Sequence, residues 1–120
     1  MLTLHTTRDG WVMNPNEQAC RSAVQDAKDA QLLRQAFVHR TRHCTFTAAE
    51  TIAAFQALID RINSGTRAGS TGPGTLTDRA TALGPGINAL PTETSVIPMA
   101  PAFASFEPSP FPQPFDLRSQ

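Results

Sequence analysis

The sequence predicts a mainly α fold: an N-terminal β-hairpin and an antiparallel two-helix hairpin, followed by a long extended Pro/Gly-rich C-terminal arm. Three observations predict it. Apolar residues recur at helical spacing up to residue 64, two helix-start signals divide that stretch, and nine of the ten prolines and six of the seven glycines lie beyond Ser64. The chain therefore reads as a small helical head over 1–64, a flexible linker over 65–90 and a Pro/Phe-rich docking arm over 91–120.

Residues 3–13 read as a β-hairpin, because Asp9-Gly10 is a favoured two-residue turn and its flanks alternate. That register puts Leu4, Thr6, Arg8, Trp11 and Met13 on one inward face, with Trp11 packed across from Arg8. Asn14-Pro15-Asn16-Glu17 then starts a helix: Asn14 caps, Pro15 loses no hydrogen bond at the first position, and Glu17 completes a capping box. An alanine-rich stripe through Ala19/Cys20, Ala23, Ala27, Ala30, Leu33 and Phe37 carries this helix over 15–40. Thr47-Ala48-Ala49-Glu50 is a second capping box, and Ile52, Phe55, Ile59 and Ile62 repeat at coiled-coil-like spacing over a helix at 48–63. The short connection at 41–46 makes the two helices antiparallel neighbours.

From residue 65 the chain is Gly/Ser/Thr-rich, with room for a short helix over 77–83. The prolines of the arm forbid helix and central strand and favour polyproline II, so that residues 85–120 would extend on the order of 110 Å. Its apolar residues Ile97, Met99, Phe103, Phe106, Phe111 and Phe115 are spaced as anchors for a protein surface, and Trp11 joins them as a candidate protein-binding residue. The competing reading is a disordered tail with incidental aromatics.

Ten basic and ten acidic residues give a net charge of 0, which removes the electrostatic footprint of a general nucleic-acid or anionic-membrane binder. The longest apolar run, Ile52 to Phe55, is far short of the roughly 20 residues of a membrane span. His39-x-x-x-His43-Cys44 suggests zinc, but on a continuous helix Cys20 lies about 29 Å from His39, out of reach as a ligand or as a disulfide partner for Cys44. No Gly-x-Ser-x-Gly elbow, Walker loop or Cys–His dyad context is legible. Arg34, Arg40, Arg42 and His43 form a basic cluster diluted by Asp29 and Glu50. No catalytic, cofactor-binding or metal site, no cofactor and no small-molecule substrate is therefore expected.

A head of about 64 residues buries only about 60% of its unfolded surface, which implies stabilisation by association with many copies of other subunits. The expected function is non-enzymatic: a structural or assembly subunit of a large particle, clamping neighbours with its arm. In that economy it resembles accessory, cement and connector proteins of bacteriophage virions, which implies a virion location after assembly in the host cytoplasm. The alternative is a cytoplasmic adaptor presenting Ser109-Pro110-Phe111-Pro112-Gln113-Pro114 as a proline-rich ligand.

Overall fold

A computed structural model of the chain describes residues 1–66 and 71–112. It overturns the mainly α class and the extended arm. The described residues form three α-helices and five strands in two sheets, an α/β arrangement into which the proline-rich segment is folded.

The hairpin expected at 3–13 does not form. Strand β1 (Leu2–Arg8) pairs in parallel with β2 (Arg34–Thr41), with Leu4 opposite Ala36 and Thr6 opposite Val38. Instead of folding the chain back, Asp9 accepts the N–H groups of Trp11 (2.9 Å) and Val12 (3.0 Å) through Oδ1 and steers it into a crossover. Trp11 is left 86% exposed rather than packed inward.

The helix expected over 15–40 is likewise cut short. Helix α1 spans Pro15–Asp26, the chain turns at Lys28 with φ 64°, and a single 3-10 turn at Ala30–Leu32 delivers it to β2. The physical reason lies in residues 35–40. Gln35, Phe37 and His39 alternate with Ala36, Val38 and Arg40, a period-2 pattern that suits a sheet with two covered faces better than a helix. Asn14 caps nothing; its Nδ2 donates to Thr7 O (2.7 Å), while Glu17 accepts from Thr3 Oγ1 (2.7 Å) and Gln35 Nε2 (2.6 Å). Polar bonds of this kind hold α1 to the sheet, and α1 buries no residue.

Helix α2 (Ala48–Ser64) begins at a complete capping box and ends at Gly65 with φ 67°, where the left-handed backbone suits glycine. Its inward face is not the large one. Ala49, Ala53, Ala54 and Ala57 are buried, three of them in a core shared with the sheet and a later helix, whereas Ile52, Phe55, Ile59 and Ile62 remain exposed.

The expected linker also contributes to the fold. Pro73 opens helix α3 (Pro73–Ala82), which sends Leu76 and Ala80 into the same core as Val38 and Ala53. Asn88 closes the following turn by donating Nδ2 to Ala80 O (2.7 Å) and Gly84 O (2.9 Å).

Strands β3 (Ala89–Pro91) and β4 (Val96–Pro98) make a small antiparallel ribbon, and β5 (Phe103–Ala104) adds to the free side of β2, giving the order β1-β2-β5. The supposed arm thus completes the sheet. Phe103 is buried in the core, and Phe106 meets Phe37 edge-on at 5.2 Å. Prolines do not prevent this, because β5 needs only two residues of ladder and contains none.

One buried ion pair ties these parts together. Arg40 on β2 pairs with Glu50 on α2, the two side chains being 6% and 0% exposed. Glu50 also accepts the N–H of Thr47 (2.9 Å) and of Ala102 (2.8 Å), while Arg40 Nη2 donates to Ala100 O (2.7 Å). The same pair splits the basic cluster read from the sequence, since Arg40 is internal and Arg34 Nη1 turns to Leu33 O.

Candidate functional site

Two features stand out, a polar cluster at the C-terminal ends of β1 and β2 and the exposed apolar face of α2. The cluster forms because parallel pairing brings the two strand ends to the same side, placing the Asp9 turn beside the 42–45 turn. His43 Nδ1 lies 2.7 Å from Asp9 Oδ2, and Cys44 Sγ lies 3.3 Å from His43 Nε2. With the carboxylate acting only as acceptor, the His43 proton sits on Nδ1, leaving Nε2 as an acceptor facing the thiol. These contacts order thiol, imidazole and carboxylate in a line. Both Arg42 (φ 71°) and Cys44 (φ 51°) adopt left-handed backbone conformations that are sparsely populated for such residues.

Asp9 anchors the cluster. Its side chain is 2% exposed, and burial alone would raise its pKa. The N–H of Val12, the His43 ring and the N–H of Trp11 outweigh that effect and hold the carboxyl down at about 2, below the usual carboxylate range. The stability this contributes is fully present above pH ~4 and is lost as pH falls through about 2. Asp9→Asn should therefore flatten the acid limb of a stability-versus-pH curve between about pH 4 and 2, as monitored by urea midpoints.

His5, on β1, lies beneath the carboxylate. Its Nδ1 donates to Thr6 O (2.8 Å), so its other nitrogen, Nε2, points towards Asp9 Oδ2 at 3.9 Å. That atom is buried without a hydrogen-bond partner, on a side chain only 8% exposed. Above the cluster, the Trp11 indole stacks on the His43 ring at 6.0 Å and 25°. Arg8, Gly10, Trp11, Arg42, His43 and Thr45 line an open recess of about 600 Å3 there. Among the described residues neither the Arg8 nor the Arg42 guanidinium has an acidic partner. A separate recess of about 220 Å3 beside Phe37, Phe103 and Phe106 is lined by no cysteine or histidine.

The structure disperses the residues expected to bind protein. Phe103 is buried, Phe106 and Phe111 are half-buried, Met99 is half-buried with its N–H on Asn88 O (2.9 Å), and Ile97 is exposed on β4. Phe115 and the end of the Ser109–Pro114 epitope lie outside the described residues. His39 and His43 do not share a helix: His39 is on β2, its Nδ1 3.1 Å from Thr7 Oγ1, and among the described residues no three metal-ligating side chains converge. Cys20 and Cys44 are both free thiols. Sequence reasoning missed this arrangement because the carboxylate that orients the adjacent His43-Cys44 pair, Asp9, lies 34 residues from His43.

No helix among the described residues is long and apolar enough to cross a membrane. No family model matches the chain, and no solved structure matches it. A stretch of 65 residues is 34% identical to part of an o-phthalyl amidase from Xanthobacter agilis, covering 54% of this chain and only 14% of the amidase.

Proposed function

We propose that this chain is a non-catalytic α/β docking module, one part of a larger protein assembly, that holds another protein body through the apolar face of α2. The inverted polarity of that helix carries the reading. Its alanines face inward while Phe55 and Ile62 stand 60% and 71% exposed, with Ile52 and Ile59 beside them at 38% and 40%. Four large apolar side chains on one helical face make a contiguous patch of the kind that marks an interaction site rather than scattered surface residues. The partner expected from this geometry is a protein presenting a helix or groove of matching apolar character. The clamp inferred from an extended arm is not carried forward, because the segment that was to reach outward instead supplies β5 and Phe103 to the module's own sheet and core.

The patch is expected to make the purified chain self-associate at high concentration, as read by sedimentation velocity. Phe55→Glu with Ile62→Glu returns it to a monomer while changing stability by no more than about 0.5 kcal/mol per site. A parent that stays monomeric at every concentration would show that the face does not dock on a second copy of itself, and a variant that loses its cooperative thermal transition would show that the face belongs to the fold. The partial likeness to an amidase favours a second reading, a contribution to amide hydrolysis. Turnover of an o-phthalyl amide by the purified chain would establish that reading in place of docking.

A further inference from the structure

Nothing in the docking role uses the thiol of Cys44, and its surroundings are those of a nucleophile. We propose that Cys44 is a base-activated reaction site for small electrophiles that carry a carboxylate. Three connected arrangements support this. The line from Asp9 through His43 to Cys44 supplies an orienting carboxylate, a correctly protonated imidazole and a thiol within reach of it. The recess lined by the His43 ring, against whose Nε2 the Cys44 thiol lies at 3.3 Å without itself lining the recess, is walled by Arg8 and Arg42, two exposed cations without acidic partners among the described residues, which suits a carboxylate there. The orphaned, buried Nε2 of His5 points at the same carboxylate of Asp9 from below, a polar group committed to the cluster at a cost to folding.

The step is a displacement at carbon. The thiol proton passes to His43 Nε2, Sγ bonds to the electrophilic carbon, and the bond to the leaving group breaks with its electron pair going to that group. The imidazolium then returns its proton to solvent. The reaction is stoichiometric, one group per chain, and requires no oxidant or metal.

Iodoacetate and iodoacetamide test it, since they present the same carbon with and without a negative charge. The full-length chain is treated with each, and alkylation at Cys44 and Cys20 is followed by peptide mass spectrometry. Folded Cys44 should react faster than the same residue in urea-unfolded chain. His43→Gln should slow it on the order of a hundredfold without affecting Cys20. Asp9→Asn, which keeps an Oδ1 acceptor for the Trp11 and Val12 N–H groups, should slow it in the same direction. Arg8→Gln with Arg42→Gln should lower the iodoacetate rate about tenfold and leave the iodoacetamide rate unchanged. A folded Cys44 no faster than the unfolded one overturns the proposal without recourse to any variant. An iodoacetate-to-iodoacetamide ratio indifferent to the two arginines overturns its carboxylate preference.

Discussion

Replacing Glu50 with alanine is expected to destabilise the module by about 3–5 kcal/mol, read as a fall in the urea midpoint. The carboxylate is fully buried and does more than face Arg40. It also receives the N–H of Thr47 at the start of α2 and the N–H of Ala102 just before β5. Its removal leaves the Arg40 guanidinium, itself 6% exposed, with an uncompensated charge in the interior. It also deprives two backbone donors of their acceptor. The loss should be much smaller when both partners are exchanged together, as in Arg40→Met with Glu50→Leu, because a well-packed apolar pair carries no stranded charge. A single Glu50→Ala variant within 1 kcal/mol of the parent would mean that water reaches the pair in solution.

Phe103→Ala is expected to cost about 3–5 kcal/mol, the range for a large aromatic removed from a packed core. Phe103 opposes Val38 in β5 and joins the cluster of Leu76, Ala80, Ala53 and Ala57. An alanine-rich interior cannot collapse to fill the space, since those alanines have no rotamers to move, so the cavity should persist. Calorimetry discriminates sharply here. An arm lying on foreign surfaces would leave the melting temperature of the free chain unchanged, whereas the folded-back segment lowers it by many degrees. Phe103 and Glu50 are joined through Ala102, so the double variant should be less destabilised than the two losses added together.

Local signals were legible where one stretch of chain decides its own shape. Thr47 and Glu50 form reciprocal bonds at the start of α2, and Pro15 opens α1, whereas Pro73, which opens α3, lies in a stretch whose glycines and serines read as a linker with a helix only at 77–83. What the sequence concealed was non-local. The parallel pairing of β1 with β2 joins residues about 30 apart, and period-2 alternation at 35–40 was masked by the alanines that continue α1's helical stripe. On α2 both faces are apolar, so spacing alone cannot choose between them. Helix α3 and the edge of the sheet select the small residues because alanine lets helix backbones approach closely, and this choice puts the isoleucines outside. Proline content suggested an arm because composition does not reveal a strand as short as β5. The polar cluster shared that fate, since its carboxylate and its imidazole meet only once the sheet exists.

The Arg40–Glu50 pair has a consequence for biosynthesis. Its last partners, Ala100 and Ala102, follow Arg40 by about 60 residues. A ribosome delivers them only after all three helices and strands β1 to β4 have been made. Until then the nascent chain holds two charges that its interior cannot accommodate, and it stays open to chaperones and proteases. Closure thus reports that synthesis has passed Ala102: a polypeptide terminated before it, however well its first helices form, has no means of sealing itself.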